Sequence, residues 1–297
     1  MTKGTVHALA AALMLAAGVF GAAVCKPAAV GPAARPFRLG GLELVALRDA
    51  DNVLDNDGRV FGTGVGPAAV AEVLQHAGAP TDKITLGVDA LLVKAPGRIM
   101  LFDTGLGPGV RGALMGSLAK AGVSPGDVTD VFITHSHGDH VGGLVGADGG
   151  LAFPRAVVHM SAIEWASMKG DPANQALVAL IMPRVHPFEP GETVAPGIVA
   201  LALYGHTPGH VGYEITSGSE RLLDIGDTAH SSIVSLAKPD WAIGYDSDPA
   251  LGRTVRRETL ARLAKSHEQV FAPHFPFPGL GTVQVAGEGF SWSPVGP

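Results

Sequence analysis

"DVFITHSHGDHVGG", residues 130–143, places His135, His137, Asp139 and His140 within six positions, directly behind an apolar run. "VFIT" is β-branched and aromatic, the composition of a strand, and it stops at Thr134. "GDHVGG" then reads as a loop entering a helix. Imidazoles and a carboxylate at this density are poor core material, because every buried polar group must find a partner. A solvated loop of titrating histidines would satisfy that rule, but it gives no reason for the spacing.

Metal ligation does give a reason. Neutral imidazole is a good ligand for a divalent ion such as zinc, and carboxylate is a harder one. His135 and His137 lie two apart, so an extended segment can turn both toward one ion, while Asp139 and His140 face a second position. Further ligand types close other strand-like runs: His206 in "YGHTPGH" (204–210), Asp227 in "LLDIGDT" (222–228) and His274 in "VFAPHFPFPG" (270–279). The set is too large for one tetrahedral ion, so two ions are expected at one sheet edge. The only cysteine is Cys25, which excludes an intrachain disulfide and leaves any metal site to His and carboxylates.

The series H-x-H-x-D-H, G-H-T-P-G-H, G-D and a late His resembles the metallo-β-lactamase superfamily over about residues 37–290. The resemblance implies an α/β chain of mixed sheets in a four-layer αββα sandwich with a dinuclear site. His135, His137 and His206 resemble the ligands of the first metal. Asp139, His140 and His274 resemble those of the second, and Asp227 the bridging carboxylate. Asp103 of "LFDTG" matches a family aspartate that supports the site from behind the ligands. A narrower similarity, in "LAFPRAVVHMSAIEW", "PGIVALALYGHTPGHVGYEI" and "PHFPFPGLGTVQVAGEGFSWSPV", is to the secreted branch of methyl parathion hydrolase, lactonases and aryl esterases.

These resemblances imply a hydrolase that holds two divalent ions, zinc first among them. A metal-bridging hydroxide would attack a lactone or aryl ester, with phosphotriesterase activity beside it. Asp227 and Asp139 are the expected catalytic carboxylates. No G-x-S-x-G is present, so no serine nucleophile is expected. The alternatives are a β-lactam hydrolase and a metal-binding protein of this fold without catalysis. The partner is a small-molecule substrate, and the relatives also suggest a homodimer.

The other candidates divide between the site and the scaffold. His230, three residues beyond Asp227, either lines the substrate mouth or lies on the surface. Trp165 matches a tryptophan position of the methyl parathion hydrolase pattern and either lines the pocket or sits in the core. Phe188, Phe275 and Phe277 are further aromatics to place. His210 reads as a loop brace, and Asp171, Asp246 and Asp248 as turn or cap residues. "TGLGPGVRGALMG" (104–116) lacks the Gly-Lys-Ser/Thr ending of a phosphate loop and reads as a mobile loop at the site mouth.

The 297 residues, 46% hydrophobic and 16% charged, are enough for a buried core. A net charge of -6 without a Lys/Arg run argues against nucleic acid. Residues 1–23 read as a signal peptide with a cut after Ala23, so the chain is expected in the periplasm or secreted, with no stable membrane span after processing. An uncleaved anchor and lipidation of Cys25 are the alternatives. Residues 24–36 read as an Ala/Pro/Gly-rich linker, and 37–297 as a single domain.

Strand patterns cover 37–47 as a hairpin, then 84–94, 98–105, 198–204, 211–216, 221–227 and a last strand ending at His274. Helices are expected over 67–78, around 112–121, from a Ser161/Glu164 capping box, and over 249–266. In the last of these Leu251, Val255 and Leu263 share a face, and the arginines are taken as solvated.

Overall fold

Residues 90–93, Ala-Leu-Leu-Val, are apolar at every position. A strand alternates its side chains between two faces, so such a run needs cover on both. The computed structural model, which describes residues 26–28 and 30–295, supplies it. Leu91 and Val93 point into a core between two sheets, while Ala90 and Leu92 point into a second core under helices.

The first half of the chain runs β1 (Lys26–Ala28), β2 (Ala34–Leu39), β3 (Leu42–Asp55), β4 (Phe61–Thr63), α1 (Pro67–His76), β5 (Lys83–Ala95) and β6 (Arg98–Phe102). It continues through α2 (Leu114–Lys120), β7 (Asp130–Phe132), α3 (Gly138–Val141), β8 (Val157–Ser161), α4 (Ala162–Gly170), α5 (Gln175–Ile181) and β9 (Val185–Phe188). The second half holds β10 (Thr193–Ala195), β11 (Ile198–Ala202), β12 (Val211–Ser217), β13 (Glu220–Asp224), α6 (Val234–Ala237) and β14 (Ala242–Ile243). It closes with α7 (Pro249–Ser266), β15 (Gln269–Phe271), β16 (Leu280–Ala286) and β17 (Gly289–Pro294).

One sheet has the order β1-β3-β5-β6-β7-β8-β9 with β2 also on β3, and the other β10-β11-β12-β13-β15-β16-β17. In the first, antiparallel pairs give way to a parallel run, β6-β7-β8-β9, that ends the sheet, and in the second antiparallel pairs flank the parallel pair β13-β15. Leu44, Phe102 and Phe132 meet Tyr213, Ile215 and Phe271 between the sheets. Leu114, Met168 and Ile181 cover the outer face of the first sheet, and Leu260 and Leu263 that of the second. The result is helix, sheet, sheet, helix. The parallel strands set the site, because chain leaving their carboxyl ends emerges along one edge.

Several expectations change in the folded chain. The segment 24–36, taken as a linker, contributes β1 and the start of β2, and both pair with β3. Strand edges offer unpaired N–H and C=O groups, and these residues satisfy them despite their loop-like composition. Residues 1–23, expected to be a signal peptide, and Cys25 lie outside the described residues. On α7, Leu251 is exposed, while Arg256 is buried with Leu260 and Leu263. At the start of α4 only half of the capping box forms. Ser161 Oγ accepts from Glu164 N (3.1 Å), and the Glu164 carboxylate turns away to two loops of the sheet edge.

Phe132 anchors the middle of the sandwich. Its ring stacks on Phe102 at 5.0 Å and on His159 at 4.5 Å, and Tyr213 meets it edge-on. Phe132→Ala is expected to lower stability by about 3–5 kcal/mol, read as a lower urea midpoint at unchanged slope.

Candidate metal centre

Every ligand-type residue of the sequence reading arrives at one edge from a strand end. His135 and His137 follow β7, Asp139 and His140 begin α3, His206 lies between β11 and β12, Asp227 follows β13, and His274 follows β15. The structure brings all seven together. His135, His137, His206 and Asp227 form one group whose ligand atoms lie within 4.8 Å of each other, and Asp139, His140 and His274 form a second.

The spacing in the first group carries information. His135 Nε2 is 3.0 Å from His137 Nδ1, His206 Nε2 is 2.9 Å from that same Nδ1, and the two Nε2 atoms are 3.2 Å apart. Three imidazole nitrogens aimed at one point cannot all be satisfied by each other, since a neutral ring has one donor and those of His135 and His206 are spent at Nδ1 on Thr134 and Asp246. Ligands at about 2.0–2.1 Å from a tetrahedral ion stand about 3.4 Å apart, so one divalent cation fits this triangle. Asp227 joins the groups: its Oδ2 faces His206 Nε2 at 3.2 Å, and its Oδ1 faces His140 and His274 Nε2 at 3.1 Å each. His140 Nε2 and Asp227 Oδ1 are buried without a hydrogen-bond partner among the described residues. The donor set therefore fits two divalent ions.

A layer behind the ligands fixes which nitrogen each ring presents. His274 Nδ1 donates to Gly87 O (2.6 Å), His206 Nδ1 to Asp246 Oδ1 (3.2 Å), and His140 Nδ1 to Asp103 Oδ2 (2.8 Å). His135 Nδ1 donates to Thr134 Oγ1 (3.0 Å), which donates to Asp103 Oδ2 (2.8 Å). Asp103 thus orients two rings, one directly and one through Thr134. It does so at φ 58°, a left-handed conformation that costs a non-glycine residue energy and persists only where neighbours hold it. His210 is a brace: Nδ1 donates to Leu203 O (2.8 Å) and Nε2 accepts from Asp227 N (2.9 Å).

Charge follows the same layout. Burial opposes charge on every group, but His140 and His274 hold Asp227 well below the usual carboxylate range. Burial also lowers His206, and Asp227 and Asp246 outweigh it to leave its pKa at about 9. Burial, reinforced by His206, takes His137 and His210 down to about 3. The two carboxylates among the ligands thus hold positive charge on some rings and leave the others neutral. Divalent ions compete with protons for these same atoms.

The remaining candidates separate. His230 is buried, with Nε2 3.0 Å from Asp227 Oδ2 and its ring stacked 5.2 Å from His274, so it belongs to the centre and not to the surface. Trp165 lies in the core under α4 and α5, at 7% exposure, and Phe188 and Phe275 are also core residues. The 104–116 segment, expected to be mobile, is fastened by buried Asp49, which accepts from Leu106 N (2.7 Å) and Leu114 N (2.8 Å).

Sequence reasoning missed three buried groups. Asp246, taken for a turn residue, bonds His206, and Arg256 holds Asp246 at 2.7 Å while bonding the carbonyls of Thr228, Pro239 and Trp241. Glu164 is the third. For Arg256 the sequence signal was a charge at the spacing of Leu260 and Leu263 on α7, and for Asp246 and Glu164 the local turn and capping patterns gave no sign of their distant partners.

Comparison with known proteins points the same way. Residues 84–274 match the family model described as the metallo-beta-lactamase superfamily. A solved structure, AidC, described as a dizinc quorum-quenching lactonase in complex with a product, is 30% identical. The match covers 89% of this chain and 98% of that one, with a TM-score of 0.85. A second, the hydrolase AbOPH in the beta lactamase superfamily, is 28% identical over 91% of this chain and 99% of its own, with a TM-score of 0.82. Metallo-beta-lactamase domain-containing protein 1 of Homo sapiens is 53% identical over 58 residues, 20% of this chain and 21% of that protein. The chain therefore spans about a fifth of the length of that curated relative.

Two outcomes are expected. Arg256→Met leaves Asp246 buried and uncompensated and should lower stability by about 3–5 kcal/mol, measured by denaturant unfolding. Removing bound metal with a chelator should lower the melting temperature by roughly 5–10 °C, reversed on adding zinc, with two ions per chain by elemental analysis.

Proposed function

The chain belongs to the metallo-beta-lactamase superfamily, and from that premise we propose that it is a dinuclear zinc hydrolase of lactones or aryl esters, with phosphotriesterase activity as a side reaction. One observation carries the reading: Asp227 bridges the two groups, its Oδ2 facing His206 of the first at 3.2 Å and its Oδ1 facing His140 and His274 of the second at 3.1 Å each. Two ions, when bound, supply Lewis acidity and bring the pKa of a coordinated water toward neutrality.

The chain's own residues do the rest. Asp227, buried and held at its backbone by His210, keeps the two ligand groups at fixed separation. Asp139 is the most open of the carboxylates in the cluster, with 23% of its side chain exposed, and so stands where water and substrate arrive. Its carboxylate takes up the proton that leaves the attacking water. His230, buried with its Nε2 3.0 Å from Asp227 Oδ2, packs its ring beside the carboxylate and helps hold it in place. The dizinc metal pair and the lactone preference both draw on the likeness to AidC, which is a dizinc lactonase. The ester and phosphotriester activities draw on the methyl parathion hydrolase motifs.

The N-terminal pattern supports work in the periplasm or outside the cell, the catalytic domain takes in β1 and β2 as well as residues 37–297, and a homodimer is carried over from the family resemblance alone. Among the described residues no helix is long and apolar enough to cross a membrane.

Asp227→Ala should remove one of two bound ions and lower kcat/KM by more than about a hundredfold, the scale of losing one stabiliser of developing charge. The substrate class is tested by pH-stat hydrolysis of an aliphatic lactone, an aryl ester, a phosphotriester and a β-lactam. A lead for lactone or ester supports the proposal. A lead for the β-lactam, or silence from protein loaded with two ions, overturns it.

A further inference from the structure

Glu164 sits in the first turn of α4, 1% exposed, with no place in the ligand set. Its carboxylate accepts four hydrogen bonds, none of them from its own helix. Oε1 takes Ser136 N (2.9 Å) and Ser136 Oγ (2.6 Å), and Oε2 takes Thr207 Oγ1 (2.7 Å) and Gly209 N (3.0 Å). Ser136 is the residue between His135 and His137, and Thr207 is the residue after His206. One buried carboxylate therefore ties together the two loops that carry all three imidazoles of the first cluster.

The approach is built on both sides. A Cβ at Gly209 would lie 2.2 Å from Glu164 N, so only glycine lets this loop reach the helix. Ser161 Oγ, which caps Glu164 N, also donates to Gly209 O (2.6 Å). Buried charge without partners is costly, and a carboxylate with two donors on each oxygen is satisfied without any cation beside it. With both oxygens engaged by these donors, Glu164 lies close to the ligands without joining them.

We propose that Glu164 is the positioning residue of the first metal site, setting the separation of His135 and His137 from His206 by holding Ser136 and Thr207 on one carboxylate. The inference rests on the two-metal reading above. Outer partners of this kind are generally worth about 10–100-fold in metal affinity. Glu164→Gln keeps the shape but presents an NH2 group to one pair of donors, so at least one backbone N–H loses its acceptor.

The test uses the full chain loaded with Co2+, with affinity read by chelator competition and ligand geometry by the visible cobalt spectrum. Wild type should bind two ions. Glu164→Gln should bind the tighter ion about 10–100-fold more weakly and show an altered cobalt spectrum. Thr207→Val, which removes one of the four bonds, should shift both in the same direction by less, and it carries the test if the Gln variant does not fold. A purely structural role would lower the melting temperature and leave affinity and spectrum of the folded protein unchanged, and that result overturns the proposal. Wild type that binds no cobalt overturns the two-metal reading and this inference with it.

Discussion

The sheet edge depends on the neutralisation of one buried carboxylate. Asp227 is 3% exposed and has imidazole nitrogens of His140, His206, His230 and His274 within 3.0–3.2 Å. An ion taken out of water costs several kcal/mol unless opposite charge stands beside it. Protons on the rings can supply that charge, and so can divalent cations, which the convergence of three further lone pairs favours. The same demand for positive charge that threatens stability is what makes the edge a binding site.

Meeting that demand takes rigid placement, because rings aimed at one point repel or clash once they drift. Three carboxylates and one carbonyl provide it from separate elements. Asp103 follows β6, Asp246 follows β14, Glu164 belongs to α4, and the carbonyl of Gly87 to β5. Arg256 extends the layer into the helix covering the second sheet, so α7 is coupled to His206 through Asp246. Part of the cost is visible in the backbone, where Asp103 holds φ 58° in order to meet Thr134 and His140.

This division of labour explains what was legible beforehand. The ligands were readable because each sits next to a strand-like run and two of the motifs, 135–140 and 206–210, compress their chemistry into a few positions. The alternation of apolar runs and helical patterns was readable for the same local reason: period 2 and period 3.6 are properties of neighbouring residues. The readings that changed were those in which composition and environment disagree. Residues 26–28 and 34–36 look like linker yet complete a sheet edge, and Arg256 looks like a solvated charge yet is buried to hold Asp246.

By itself the sequence determined the ligand types, their spacing along the chain and the strands they follow, since these are local facts. Only the tertiary structure decided which carboxylates support which rings. Asp246 lies 40 residues from His206, and Glu164 lies 28 from Ser136 and 43 from Thr207. No periodicity or motif links positions so far apart. They meet because two sheets pack face to face and the loops leaving one edge lie against one another, where a buried donor or acceptor has to be answered by whatever the fold brings next to it.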